Sequence, residues 1–267
     1  MRGSASVTFL PSVPRARKAV LAALVCAGLA LSATACAEEK PDPDKGTNGV
    51  GKLTAAEIET KARTTAGAAK AVRVSGTLVS KGGTFKLDMR LKDGGGTGSV
   101  TSQQETFELL RIDDALYLKA DASFWVHQDE GGGEQAAAGP SDADRQAAGK
   151  LGGKYVKVPQ GDPAYKEFRG FTDKAVLLDG LLGMEGELSK GERTRVGGVR
   201  TIKVQAAEGA GGVLDVALDG LPYPVRFARA AGKGVLSLAE WDKDFALAAP
   251  PQEATVDYGG QLPKSTD

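Results

Sequence analysis

The chain has 267 residues, with 34 basic and 34 acidic side chains, one histidine and two cysteines. This length suits one large domain or two small ones, and such a chain can bury a core without disulfides. Acidic and basic residues are interspersed, so no basic stripe exists to hold a phosphate backbone, and we expect no nucleic-acid partner.

The first 35 residues have the order of a secretory signal. Basic residues at positions 2, 15, 17 and 18 precede an apolar run over 19–31, and small residues follow. The apolar run is shorter than the roughly 20 residues that a membrane-spanning helix needs. We therefore predict that residues 1–35 are a signal peptide and are removed.

Cys36 stands directly after the predicted cut, and we expect it to carry a lipid. The site resembles a bacterial lipobox, in which this cysteine receives a diacylglycerol, although Ala33 stands where the lipobox usually has leucine. Ala33-Thr34-Ala35 is also an ordinary A-x-A cleavage site, which would leave a secreted, soluble chain with a free thiol. The only cysteine left after processing falls at this position, which favours an exported protein anchored on the outer face of the cell membrane.

Residues 36–52 are predicted to be the lipidated cysteine and a flexible tether, and residues 53–251 a folded domain. The stretch 37–52 is polar, contains Pro, Gly and Asp, and lacks hydrophobic periodicity. Thr54 and Glu57 then have the spacing of a capping box, and small apolar residues recur every three or four positions. This pattern predicts a helix over 54–70.

Two groups of strands are predicted from alternating apolar and polar residues between Gly- and Asp-rich turns. The first lies at about 72–78, 85–91, 97–103, 105–112 and 115–119, and the second at 186–195, 198–207, 211–218, 223–230 and 234–242. Between them we expect an exposed loop over 129–153 with a short helix near 141–150, a strand over 154–158, a helix that begins at Asp162-Pro163, and a helix over 172–182. A polar tail follows over 252–267.

Residues for catalysis or metal binding are scarce. His127 has no cysteine beside it and no supporting motif, so we interpret it as a surface residue. Asp113-Asp114 lies at an apparent hairpin, where aspartate is a common turn residue. The glycine runs do not stand between a strand and a helix, as a phosphate-binding loop requires. We expect no enzymatic activity, no metal and no cofactor.

Several segments together resemble one family. They are the lipobox-like Cys36 with its polar tether, VRVSGTLV, ALYLKA with DASFW, GKYVKVP with DPAYKEFRGFTDKAVLLDGLL, GGVRTIKVQ, DGLPYPVRFAR and WDKDFALAAPP. In this layout the chain resembles the mycobacterial cell-envelope lipoproteins related to the outer-membrane lipoprotein carrier. The resemblance implies an α+β fold: an open half-barrel made of a single strongly curved antiparallel sheet of about 10–11 strands, with helices on its concave face.

The resemblance also implies an apolar cavity that holds acyl chains. Short, Ala-rich helices over a wide sheet leave poor packing or a cavity, whereas periodicity alone favours an ordinary tight core. Phe124 and Trp125 are interpreted as a gate or as a plug of the core, and the leucines over 177–182 as a lid or as a core face. The predicted cavity residues are Phe85, Leu87, Met89, Leu109, Leu116, Leu118, Phe124, Trp125, Leu177, Leu181, Ile202, Val204, Leu214, Val216 and Phe227.

Two functions remain open from the sequence. The first is an envelope lipoprotein that binds or carries a lipid or another amphiphile in its cavity. The alternative is a lipoprotein domain that binds or senses another envelope protein and has a filled interior with an exposed apolar patch.

Overall fold

The computed structural model describes residues 43–80, 83–102, 105–127 and 141–257. All of them belong to one compact unit. The predicted signal peptide, Cys36, residues 129–140 of the predicted loop and the end of the polar tail lie outside the described residues, and so does the side chain of His127.

Twelve strands form one sheet in the order β12-β6-β5-β4-β3-β2-β1-β11-β10-β9-β8-β7. Neighbouring strands are antiparallel, except that β12 is parallel to β6. The strands are β1 Ala71–Ser80, β2 Gly83–Lys92, β3 Gly95–Ser102, β4 Glu105–Ile112, β5 Ala115–Ala120, β6 Tyr155–Val158, β7 Leu188–Val196, β8 Val199–Ala206, β9 Gly212–Ala217, β10 Pro224–Arg229, β11 Gly234–Ala239 and β12 Thr255–Asp257.

The sheet is open, because β7 and β12 are its two edges and do not pair with each other. The two predicted meanders join in the middle, where β1 pairs with β11. The predicted fold class, a single open antiparallel sheet with helices on one face, is confirmed, with two small differences: the sheet has twelve strands, and the last one is parallel to its neighbour.

In the described ranges, five α-helices accompany the sheet: α1 Ala55–Ala68, α2 Ala122–His127, α3 Asp142–Leu151, α4 Pro163–Thr172 and α5 Lys174–Leu181. The predicted capping box is present, since Thr54 Oγ1 accepts from the Glu57 N–H and Glu57 Oε2 accepts from the Thr54 N–H. Asp162 caps α4 through the N–H of Ala164. Asp173 caps α5, so the helix predicted over 172–182 begins at Lys174, and Thr172 is instead the last residue of α4.

The helices cover one face of the sheet in two parts. α4 packs on β2, β3 and β4, whereas α1 packs on β7, β8, β9 and β10. α2 contacts β5 and carries α3, and α5 contacts both α1 and α4. The covered face is apolar because alternate strand residues point to it: Val74, for example, is fully buried between Met89 of β2 and Leu238 of β11. We call this side the inner face.

The prediction of a flexible tether as far as residue 52 is wrong from residue 43 onward. Asp44 lies in an ion pair with Arg193 of β7, with 2.6 Å between Oδ2 and Nη2. Asn48 donates from Nδ2 to the carbonyl oxygen of Ala217 at 3.0 Å. Val50 is buried at 2 % exposure. The polar composition indicated a coil, but these side chains have specific partners far along the chain.

A register shift at the sheet edge explains this docking. Between Lys190 and Arg193 the register of the pairing with β8 shifts, so that both cations contact the N-terminal segment 44–53. Lys190 Nζ donates to the carbonyl oxygens of Gly51 and Leu53, each at 3.1 Å.

The predicted domain end at residue 251 is also too early. Thr255–Asp257 form β12, which extends the sheet beyond β6, and Lys157 pairs with Asp257 at 3.0 Å. These residues were predicted to be part of a polar tail, since three residues are too few to show a strand pattern.

Candidate functional site

The predicted cavity residues all lie on the inner face or in the helices that cover it. Fourteen of them belong to one buried cluster, and Phe85 packs against that cluster while remaining partly exposed. Two groups are visible. The residues of β2 to β5 lie on the side that α4 covers, and those of β8 to β10 lie on the side that α1 covers. Leu177 and Leu181 belong to α5, which contacts both of these helices. Their role as a lipid-binding surface stays a prediction.

Six aromatic side chains meet on the α4 side, at the ends of β2, β4 and β5. They are Phe85, Phe107, Phe124, Trp125, Phe168 and Phe171, and we call this group the aromatic end. Ring centroids lie 5.9 Å apart for Phe85 and Phe171, 5.5 Å for Phe107 and Phe168, and 5.4 Å for Phe107 and Phe124. The rings are tilted against each other, which is a favourable geometry for aromatic pairs.

Part of the aromatic end reaches solvent. Phe107 and Phe124 are buried, but Phe85 of β2 and both Phe168 and Phe171 of α4 are only partly buried. The seam between α4 and the sheet is therefore closed here by apolar contacts that water touches on one side. Such contacts between rings can part without the loss of a hydrogen bond when a hydrophobic chain enters.

The opposite side of α4 is fixed by a buried cation. Arg111 of β4 is 5 % exposed and points to the helix end. It donates to the carbonyl oxygen of Thr172 at 3.0 Å and to that of Asp113 at 2.7 Å. A positive charge at a helix C-terminus is favourable, and a buried arginine with several acceptors holds its position.

A second buried cation fixes the start of α5. Lys174 is 5 % exposed, donates from Nζ to the carbonyl oxygen of Ala69, and forms an ion pair with Asp93 at 2.9 Å. Ala69 is the C-cap of α1, and Asp93 lies in the turn after β2. Lys174 therefore links α5 both to α1 and to the sheet. The helix pair α4–α5 is thus held by polar bonds at its junction and by apolar contacts at the aromatic end.

Gly96 of β3 lets α4 approach the sheet closely. A Cβ atom at this position would lie 2.6 Å from Leu91 Cδ2 and 3.0 Å from the Thr172 carbonyl oxygen. The junction of α4 and α5 therefore depends on the glycine at position 96, which has no side chain, as well as on the hydrogen bonds of Arg111.

The other face of the sheet is polar and carries several ion pairs. Arg73 donates to Asp88 from Nε at 2.8 Å and from Nη2 at 2.6 Å, and this hydrogen bonding lowers the pKa of the Asp88 carboxyl. Lys203 pairs with Glu192 at 2.6 Å. An apolar ligand is therefore expected on the inner face only.

The described residues contain no group of three or more His, Cys, Asp and Glu side chains arranged for a metal ion. In the same ranges, no helix has the length and hydropathy needed to cross a membrane.

Sequence reasoning missed half of the aromatic end and both buried cations. Phe168 and Phe171 stand three positions apart on the predicted α4, which was a signal that they share a helix face. Phe107 precedes Leu109 by two positions on β4, so it shares the inner face with that predicted residue. Arg111 continues the same alternation, but a charged residue is not expected on a buried face without a visible partner.

Searches of protein families and of curated proteins gave no match to this chain. Solved structures do match. LprF from Mycobacterium bovis is 15 % identical, covers 73 % of this chain and 96 % of its own length, and has a TM-score of 0.49. The lipoprotein LppX from Mycobacterium tuberculosis is 11 % identical over 73 % of this chain and 98 % of its own, with a TM-score of 0.42.

A third match is the MucA/MucB complex from Pseudomonas aeruginosa, which is 13 % identical over 74 % of this chain and 59 % of its own, with a TM-score of 0.28. The chain is thus similar to two mycobacterial proteins of the kind that its sequence resembles. At these identities and scores the likeness concerns the layout of the fold, and it says nothing of a ligand, a partner or an anchor.

Proposed function

We propose that the protein is an envelope lipoprotein that binds an amphiphile between α4–α5 and the inner face of the sheet. One observation carries the proposal: buried polar bonds fix α4–α5 at its junction, whereas aromatic rings, three of them only partly buried, close it at the aromatic end. An acyl chain that enters at the aromatic end would separate rings of α4 from rings of the sheet and would itself contact both. Apolar contacts are then exchanged for other apolar contacts, so opening costs little free energy.

The energetics suit a carrier more than a trap. Burial of apolar surface contributes about 0.8 kcal/mol per methylene, so a chain of roughly 16 carbons gains on the order of 12 kcal/mol relative to water. A bilayer offers the same chain a similar gain. The free energy of transfer between the protein and a membrane would then be close to zero, and a small difference in affinity decides the direction of transfer.

The N-terminus supports a place at the membrane surface. The predicted diacylglyceryl group on Cys36 has two acyl chains, which is enough for stable anchoring. Only six residues separate Cys36 from Pro43, where the described chain begins. With about 3.5 Å per residue, the anchor lies no more than about 25 Å from Pro43. The protein would therefore pass a ligand to a close neighbour or hold it.

The test is native mass spectrometry with lipid extraction on residues 37–267, expressed in a bacterium without the anchor. We expect a defined lipid to co-purify at a single copy per chain. Leu87 is 1 % exposed on the inner face, so Leu87→Trp should fill the site and expel that lipid. Val235→Trp is the matched control, because Val235 is 42 % exposed on the outer face.

A chain that stays free of lipid, including after incubation with liposomes, would contradict the proposal. That result would favour the alternative, a domain that recognises another envelope protein. Loss of lipid in both tryptophan variants would point to general unfolding, so their thermal unfolding is measured alongside.

A further inference from the structure

One polar group of the aromatic end has no partner. Trp125 is 5 % exposed, and its Nε1–H has no hydrogen-bond acceptor among the described residues. A buried donor without an acceptor is unfavourable, because it gives up its hydrogen bond to water and receives none in return. A phenylalanine at this position would have no such donor to satisfy.

The second tryptophan of the chain shows the usual arrangement. Trp241 stacks on Tyr223 with 4.5 Å between ring centroids, and its Nε1 donates to the Pro224 carbonyl oxygen at 2.9 Å. Buried indole groups generally find such an acceptor. The unpaired donor is therefore a property of the aromatic end and not of tryptophans in this fold.

The described residues around Trp125 are apolar. Phe124 meets it edge-on, with 5.3 Å between ring centroids, and Phe107 lies beyond Phe124. Ala148 and Leu151 of α3 belong to the same buried cluster. Since no described residue accepts from Nε1, a molecule that carries an oxygen atom into this apolar region would complete the hydrogen bond.

We infer that the Trp125 Nε1–H donates a hydrogen bond to an ester carbonyl of the bound amphiphile, and that the protein selects acyl esters over ether lipids and hydrocarbons. The inference rests on the proposed function. In an amphiphile whose chains lie inside and whose head lies outside, the ester groups lie at the boundary, and the aromatic end is where the apolar layer meets solvent. An indole N–H can only donate, so it recognises an acceptor such as a carbonyl oxygen.

The experiment compares two lipids and three proteins. Dipalmitoyl phosphatidylcholine and its dihexadecyl ether analogue have the same chains and head, but only the first has carbonyl oxygens. Their binding to residues 37–267 is measured by competition for the wild type, Trp125→Phe and Trp241→Phe. We expect the wild type to prefer the ester by about fivefold to tenfold, as for one neutral hydrogen bond. Trp125→Phe should lose the preference and Trp241→Phe should keep it.

A spectroscopic readout separates this role from a structural one. The chain has two tryptophans, so Trp241→Phe leaves a single indole N–H resonance, which should move downfield with the ester and not with the ether. Equal binding of both lipids by the wild type, or an ester preference that survives in Trp125→Phe, would overturn the inference and leave the proposed function standing. A wild type that binds neither lipid would overturn both.

Discussion

Asp215 of β9 shows how one residue couples stability to pH. It alternates with the inward Leu214 and Val216, yet its side chain is completely buried, Oδ1 has no partner in the described chain, and Oδ2 accepts from Arg226 at 3.3 Å. Burial raises the pKa of the Asp215 carboxyl, and Arg226 opposes that rise. A carboxyl whose pKa is raised by folding costs stability as the pH rises from its unfolded-state pKa through its folded-state pKa.

We therefore expect the free energy of unfolding of Asp215→Asn to rise relative to that of the wild type as the pH goes from 4 to 7. Urea unfolding of both proteins at the two pH values measures this. Asp219→Asn is the control of opposite sign, because a hydrogen bond from Arg200 lowers the pKa of Asp219. If the difference in free energy of unfolding between Asp215→Asn and the wild type narrows toward pH 7, Arg226 stabilises the carboxylate more than burial penalises it.

At the scale of elements, the junction of α4 and α5 depends on how closely α4 approaches β3. Gly96→Ala would place a Cβ atom against Leu91 and the Thr172 carbonyl oxygen, so we expect the free energy of unfolding to fall by about 1–3 kcal/mol. Gly170 is the matched control, since it lies on α4 and a Cβ atom added there would have no atom within 4 Å. Gly170→Ala should stabilise by about 1 kcal/mol through helix propensity. Denaturant unfolding distinguishes the two, and equal effects would show that α4 does not press on β3.

The elements that sequence predicts best are those with a local cause. The capping box of Thr54 and Glu57 and the alternation of β2 need no knowledge of the rest of the chain, and both were predicted correctly. α2 was missed because a six-residue helix between a strand and a loop has too little periodicity. The docking of Asp44 on Arg193 joins residues 149 positions apart, and no local pattern reports such a pair. The aromatic end likewise needs the helix–sheet packing before its members can be grouped.

For the whole molecule, attachment at Cys36 decides where the domain can act. If the predicted lipobox is used, the N-terminal tryptic peptide of the protein spans residues 36–45, because Pro41 blocks cleavage after Lys40, and its mass should include the lipid. Cys36→Ser should move the protein from the detergent phase to the aqueous phase. Its urea unfolding should not change, because position 36 precedes the docked segment that begins at residue 43. An unmodified peptide with a free thiol in the wild type would show ordinary signal cleavage at Ala35, and the domain would then carry its ligand as a diffusing protein.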